Sequence, residues 1–245
     1  MALLKSTGNK KVNLDFNKEF INTFSEKIEN GNIEFINQTL KDLHEADVAN
    51  LIENLNPNTR IKLIELEAFN INPEIFVELN ESIQSEVLQL LSIDSIIKII
   101  KRLESDNAIK ILENLEKDTK EKVLDKLPPK DKFLLEEGLS YPEDSAARIM
   151  QREFTAVPSN WTVGQTIDYL REDKDLPEEF LEIFIVDNDF KPIGTVPSSR
   201  VLRTSRDLKM NSIMIEMPVL ISANMDKEEV GHTFENYNLV SAGVV

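Results

Sequence analysis

Two stretches of similar sequence, LHEADVANLIENL at residues 43–55 and LESDNAIKILENL at residues 103–115, indicate how the first half of this chain folds. In both, apolar residues recur at intervals of three and four, the spacing of one face of an α-helix. Leucine returns every twelve residues in the same register, at positions 43, 55, 79, 91, 103, 115 and 127, with a break at Glu67. Twelve residues make one short helix and its turn. The repeat therefore predicts a superhelical stack of short helical hairpins that bury one another's apolar faces.

The helical pattern extends from about residue 15 to residue 137, and its breaks fall at Asn-Pro and Pro-Pro pairs. Residues 1–14 are polar and mixed, so we expect a flexible tail there. We expect residues 138–153 to be a connecting segment, because the pattern changes on either side of them.

Strand and helix patterns alternate after residue 153. The order of FTAVP (154–158), a capped helix (161–172), LEIFIVD (181–187), a further strand and a helix start predicts a β-α-β-β-α unit over residues 154–212. A second α+β module begins at residue 213, with strands expected at 217–223 and 239–245 around a helix at 227–238. The predicted fold class is therefore multi-domain, an all-α stack followed by α+β modules of which the second is truncated.

Composition excludes several classes of function. The chain has 44 acidic and 28 basic residues and a formal net charge of −16, so it repels phosphate backbones and we expect no nucleic-acid partner. It has no cysteine and only two histidines, which excludes disulfides, thiolate metal sites and multi-histidine metal sites. No apolar run reaches the roughly 18 residues of a membrane span, and the start does not read as a signal peptide. No nucleophile and base stand in a recognisable arrangement, so we do not expect an enzyme.

Three runs in the second half resemble a known family: YPEDSAARIMQREFTAVPSNWTVGQTIDYL (141–170), IFIVDNDFKPIGTV (183–196) and MDKEEVGHTFENYNLVSAGVV (225–245). They are similar to the cytosolic part of MgtE-type magnesium channels, and the leucine repeat fits that family's acidic N domain. The resemblance implies an N domain over 15–137, a first CBS module over 154–212 and an incomplete second CBS module over 213–245.

The resemblance also implies a regulatory role in magnesium transport. In the family, hydrated Mg²⁺ bridges acidic faces of the N domain and the CBS modules, and the docked arrangement controls a membrane pore. The implied place is the cytoplasmic side of the cell membrane, while the fragment itself is expected to be soluble. The implied partners are magnesium ions, the transmembrane pore domain of the same full-length protein, and a second copy in a homodimer.

Carried over onto this sequence, the implied magnesium ligands are Asp106, Asp226 and Glu228. Each has an alternative interpretation, because acidic residues at a helix start also cap the helix or offset its dipole. The sequence departs from the family's pattern at Lys110 and at Asn238, where the family has further acids. We therefore expect fewer magnesium ligands than the family pattern has, and weak magnesium binding.

Two other functions stay open. CBS modules often bind adenine nucleotides, but here Pro197 and Arg200 occupy the hydroxyl and aspartate positions of the ribose motif. Glu182, Ser199 and Leu239 stand where related modules stack the base or hold phosphate, so we do not expect ATP binding. The third possibility is a helical interaction scaffold, since the repeat also resembles flagellar-motor switch domains.

Overall fold

The computed structural model describes residues 16–67, 72–177 and 179–245, so the expected tail at 1–14 lies outside the described residues. Within these ranges the helices are α1 Lys18–Glu29, α2 Ile33–Lys41, α3 Glu45–Asn54, α4 Pro57–Glu67, α5 Glu74–Glu78, α6 Glu81–Leu90, α7 Ile93–Ile100, α8 Ser105–Glu113, α9 Lys117–Lys126, α10 Pro129–Ser140, α11 Ala146–Ile149, α12 Val163–Glu172, α13 Ser198–Arg203, α14 Met210–Ile213 and α15 Lys227–Tyr237. The strands are β1 Ala156–Pro158, β2 Glu182–Val186, β3 Pro192–Pro197 and β4 Ile215–Glu216.

The twelve-residue leucine repeat marks the ends of helices rather than their middles. At six of the seven positions the leucine N–H donates to the carbonyl three residues earlier, at 3.2–3.4 Å, and so closes the last turn. These residues are Leu43, Leu55, Leu91, Leu103, Leu115 and Leu127. Since the final carbonyls of a helix lack intrahelical partners, the repeat places an apolar residue and a closing hydrogen bond at each turn.

Helix starts in the first half carry polar caps. The side-chain oxygens of Asn17, Asn32, Asn80 and Ser92 accept the N–H of the residue three positions on. Asn56 accepts the N–H of Thr59 at 3.0 Å, just before a proline that opens α4. Asparagine and serine are among the best N-caps, so local chemistry cuts the chain into short helices.

The described residues fall into two compact units. The first runs up to Leu103 and includes Lys110–Leu127, while the second consists of Glu104–Ile109 and Pro128–Val245. Helix α8 therefore contributes residues to both units. In the first unit α3 packs against α5, and α7 packs against α9.

A buried arginine ties three helices of the first unit together. Arg60 of α4 is 5% exposed, and its guanidinium donates to the carbonyls of Ile52 and Leu55 at the end of α3. It also pairs with Glu86 of α6 at 2.7 Å. A cation at the carbonyl end of a helix complements the helix dipole, so Arg60 acts as a tertiary C-cap.

The second unit contains a four-stranded sheet in the order β1-β2-β3-β4. Strand β1 pairs parallel with β2, and the other neighbours are antiparallel. The capping box that Thr162 forms with Gln165 starts α12, as the sequence predicts. A cluster of buried aliphatic side chains fills the core beside the sheet, namely Val157, Val163, Ile183, Ile185, Val196, Val201 and Met210.

The strands expected at 217–223 and 239–245 are largely absent as regular elements. Only an isolated parallel bridge forms, between Ile221 and Val244, although three backbone hydrogen bonds of 2.9 Å align the two segments. Besides β2, strand β3 has a second antiparallel neighbour, the short strand β4, which the sequence did not predict. The apolar run at 217–223 therefore reflects burial, since Ile221 is 1% exposed, rather than a regular strand.

None of the helices in the described ranges is both long enough and apolar enough to cross a membrane.

Candidate functional site

Asp106 lies in the first turn of α8, within the second compact unit. Its side chain is partly buried, and its Oδ1 atom is closed off from solvent without a hydrogen-bond partner. Buried carboxylate oxygens nearly always find a donor, because an unpaired one loses its hydration without compensation. The first of the three sequence-predicted ligands therefore offers an unused acceptor.

The residues that fix the start of α8 come from far along the chain. Both the N–H and the hydroxyl of Ser105 donate to Oε2 of Glu153, at 3.2 and 2.8 Å. The N–H of Arg152 in turn donates to Ser105 Oγ at 3.0 Å and to Glu153 Oε2 at 3.2 Å. We call this group of Ser105, Arg152 and Glu153 the remote cap. Sequence reasoning missed it because local patterns cannot pair residues that lie 48 positions apart.

Asp226 and Glu228 are exposed at the start of α15. Asp226 is the N-cap, and its Oδ1 accepts the N–H of Glu228 at 2.8 Å. The capping role raised as an alternative from the sequence is therefore present at Asp226. Capping engages one of its two carboxylate oxygens and holds the residue at a fixed place beside Glu228.

A lysine stands between these two acids. Lys227 Nζ lies 2.5 Å from Asp144 Oδ1, and its backbone N–H donates to the Asp144 carbonyl at 2.7 Å. The hydrogen bond and charge of Asp144 raise the pKa of Lys227, and the charges of Asp226 and Glu228 add to the rise. The ammonium group is therefore held as a cation on the acidic surface of α15.

The three sequence-predicted ligands do not form one ready-made metal centre. Over the described ranges, no three histidine, aspartate or glutamate side chains converge as a metal site would require. Asp106 lies beside the remote cap, whereas Asp226 and Glu228 lie on either side of Lys227 in sequence, at the start of α15. Such dispersed carboxylates suit an ion that keeps most of its water shell.

Three of the positions that correspond to nucleotide contacts in related CBS modules have partners within this protein. Glu182 accepts the hydroxyl of Ser241 at 2.5 Å and that of Thr195 at 3.3 Å. Arg200 donates to the carbonyl of Ile213 at 2.8 Å. Leu239 N–H donates to the carbonyl of Phe234 and so ends α15. At the first of these positions, the carboxylate of Glu182 already accepts two hydrogen bonds from the protein.

Comparison with known proteins gives matches in both sequence and fold. The sequence model of the MgtE intracellular N domain matches residues 43–144. The magnesium transporters MgtE of Enterococcus faecalis and Bacillus subtilis are 24% and 22% identical over 110 and 107 residues, which is 45% and 44% of this chain. The chain spans about a quarter of the length of these curated relatives, since the aligned part is 24% of each.

Two solved structures share the fold along most of the chain. The cytosolic domain of the Mg²⁺ channel MgtE in complex with ATP has a TM-score of 0.81 and 23% identity, with 92% of each chain covered. The soluble part of a magnesium transporter has a TM-score of 0.76 and 20% identity, with 93% of this chain and 90% of that chain covered.

These matches confirm the resemblance to the cytosolic region of the MgtE family and the predicted fold class of helical domain plus α+β CBS-like region. The relatives are named as transporters and channels rather than as enzymes.

Proposed function

We propose that this chain is the magnesium-sensing cytosolic region of an MgtE-type magnesium transporter. In this proposal Mg²⁺ binds through Asp106, Asp226 and Glu228 and favours the docked state of the acidic N and CBS domains. The ion acts as a regulatory ligand, because a ligand shifts an equilibrium toward the state it binds more tightly. The proposed neighbours are the pore domain of the full-length protein and a second copy of the chain, on the cytoplasmic side of the membrane.

The observation that carries this proposal is the exposed pair of carboxylates at the start of α15, Asp226 and Glu228, of which capping engages one Asp226 oxygen. Magnesium takes oxygen ligands at about 2.0–2.1 Å and dehydrates reluctantly, so one carboxylate oxygen and several waters form a suitable set. The residue types present therefore fit a hydrated divalent cation.

The charge of the chain supports the same ligand. A net charge of −16 makes acidic surfaces repel each other, and a divalent cation that binds between carboxylates neutralises two charges where a monovalent ion neutralises one. Magnesium would thus act both at individual carboxylates and on the long-range balance of charge.

The test is small-angle scattering of this chain across a magnesium titration, with thermal unfolding measured on the same samples. Calcium and sodium at matched ionic strength are the controls. We expect the radius of gyration to fall and to saturate at millimolar magnesium. A ligand at 100 times its Kd adds about 2.7 kcal/mol to the free energy of unfolding, so thermal stability should rise in parallel.

Two results would contradict the proposal. One is an unchanged radius of gyration and melting temperature up to saturating magnesium. The other is a response that sodium reproduces at the same ionic strength, since that would be charge screening without a site.

Adenine-nucleotide binding is the second candidate, favoured by one observation: a structure of the same fold was solved in complex with ATP. The side chains of Glu182 and Arg200 argue against it, because both are committed to partners inside the protein. A parallel titration with ATP, in the absence of magnesium, separates the two ligands. Saturable stabilisation by ATP alone would favour the nucleotide switch.

A further inference from the structure

Residues 144–147 are joined by their backbone to the residues that lead into α15. The N–H of Lys227 donates to the carbonyl of Asp144 at 2.7 Å, and an isolated antiparallel bridge pairs Ser145 with Asp226. Both contacts lie within the second compact unit. The backbone therefore fixes where the side chain of Asp144 stands relative to the start of α15.

A buried serine holds the turn that carries Asp144. Ser145 is 2% exposed, and its N–H and its hydroxyl both donate to the carbonyl of Pro142, at 3.0 and 2.7 Å. The N–H of Ala146 donates to the carbonyl of Met225 at 2.7 Å, so the contact continues beyond the serine. None of these bonds uses the Asp144 carboxylate, so they remain when that side chain is replaced.

This arrangement places the Asp144 carboxylate against the Lys227 ammonium group. Asp144 Oδ1 lies 2.5 Å from Lys227 Nζ. Residues next to each other in sequence do not face each other on a helix, and over the described ranges no ion pair joins Lys227 to Asp226 or Glu228. The lysine is therefore held at Asp144 rather than at either acid of α15.

The two acids of α15 keep carboxylate oxygens open to solvent. Both side chains are exposed, and capping engages only Oδ1 of Asp226, which accepts the N–H of Glu228. In the part of the chain that the structure describes, neither carboxylate takes part in an ion pair. A lysine ammonium carries three donors and seeks the same oxygens as a metal cation. Released from Asp144, Lys227 would be a cation tethered beside these oxygens.

We propose that Asp144 is a positioning residue that holds the Lys227 ammonium away from Asp226 and Glu228 and so leaves these carboxylates to a hydrated divalent cation. This inference rests on the proposed function and deepens it, because it names what sets the cation affinity at the start of α15. Asp144 acts through Lys227 and does not touch the ion.

The experiment measures the magnesium midpoint of the scattering titration, at fixed ionic strength, for the whole chain and its variants. Asp144→Asn removes the charge that holds the lysine, and Asp144→Glu keeps that charge. Lys227→Gln removes the lysine itself. The matched control is Glu143→Gln, because Glu143 is an exposed acid one residue away and its loss changes the net charge equally. Melting curves without magnesium report on folding.

We expect Asp144→Asn to raise the magnesium midpoint about threefold, the effect of one positive charge brought beside a divalent ion in water that salt partly screens. Asp144→Glu and Glu143→Gln should stay within about 1.5-fold of the wild-type midpoint, because the lysine keeps its partner in both.

The decisive comparison is the double variant. In the Lys227→Gln background, Asp144→Asn should change the midpoint by less than about 1.5-fold, because no ammonium group is left to release. The melting temperature without magnesium should change little in Asp144→Asn, since exposed ion pairs contribute little to stability and the backbone bonds remain.

Two results would overturn this inference alone. If Asp144→Asn shifts the midpoint no more than Glu143→Gln does, the lysine is not held for the sake of the α15 acids. If Asp144→Asn raises the midpoint equally with and without Lys227, Asp144 acts on the cation directly and not through the lysine. Should Asp144→Asn fail to fold, Asp144→Ala in the two backgrounds carries the same comparison. A wild-type chain without any magnesium response would instead refute the proposed function, and with it this inference.

Discussion

Lys227 is a positively charged residue surrounded by acids in the second compact unit. Its ammonium group bonds to Asp144, and acids flank it on both sides in sequence. The pKa of Lys227 is raised in the folded protein, so the stabilising effect of the pair is complete below the ordinary pKa of 10.5 and is lost as pH rises through the folded-state value. At neutral pH the lysine is therefore charged, and its charge acts on Asp226 and Glu228 as theirs acts on it.

The change Lys227→Gln should tighten magnesium binding. Removing one positive charge near a divalent ion in water, partly screened by salt, should lower the magnesium midpoint about threefold. Lys209→Gln is the control, because Lys209 is an exposed lysine of the same unit outside this surface. The scattering titration measures both. If Lys227→Gln leaves the magnesium midpoint unchanged or raises it, Asp226 and Glu228 do not bind the magnesium that causes the response.

At the scale of single elements, two glycines in helices should respond in opposite ways to alanine. In α15, Gly231 has open space where a β-carbon would lie, whereas in α10 Gly138 faces the buried Ile109. Alanine gains up to about 1 kcal/mol over glycine within a helix. Overpacking a close contact costs about 1–3 kcal/mol.

We therefore expect Gly231→Ala to raise the free energy of unfolding by about 0.5–1 kcal/mol and Gly138→Ala to lower it by about 1 kcal/mol. Urea unfolding followed by circular dichroism measures both. Ile109→Val removes the Cδ1 atom that the new β-carbon would meet. In that background Gly138→Ala should lower the free energy of unfolding by less. Equal stabilisation by both alanines would show that α10 and α8 are packed less tightly than described.

Elements with a strong local signal could be predicted from the sequence, and elements defined by distant partners could not. The leucine repeat and the Asn-Pro and Pro-Pro breaks predicted short helices because helix ends are set by nearby chemistry. Strand β4 has two residues, and only its pairing with β3 defines it. The same limit applies to the site: Asp226 showed its cap in the sequence, whereas the contact of Ser105 with Glu153 depends on the folded chain.

At the scale of the whole molecule, the proposed response depends on how much acidic charge magnesium must neutralise. The chain carries a net charge of −16, so removing any two acids reduces the general repulsion. Only acids that bind the ion should change the magnesium dependence as well. Comparing two variants of the same net charge therefore separates a site from a general charge effect.

The variant Asp226→Asn with Glu228→Gln removes two candidate ligands and leaves asparagine, which is as good an N-cap as aspartate, at the start of α15. The control is Glu172→Gln with Asp175→Asn, two exposed acids of the same unit. Both variants have two fewer negative charges, and both should be slightly more compact than the wild type without magnesium.

On addition of magnesium we expect the control to compact as the wild type does, and the Asp226 and Glu228 variant to compact less and at higher concentration. The measurement is the radius of gyration at fixed ionic strength across the titration. Because the cap is preserved, a weaker response reports the loss of ligands rather than the loss of helix α15. Identical titrations of the two variants would mean that these acids act only through net charge.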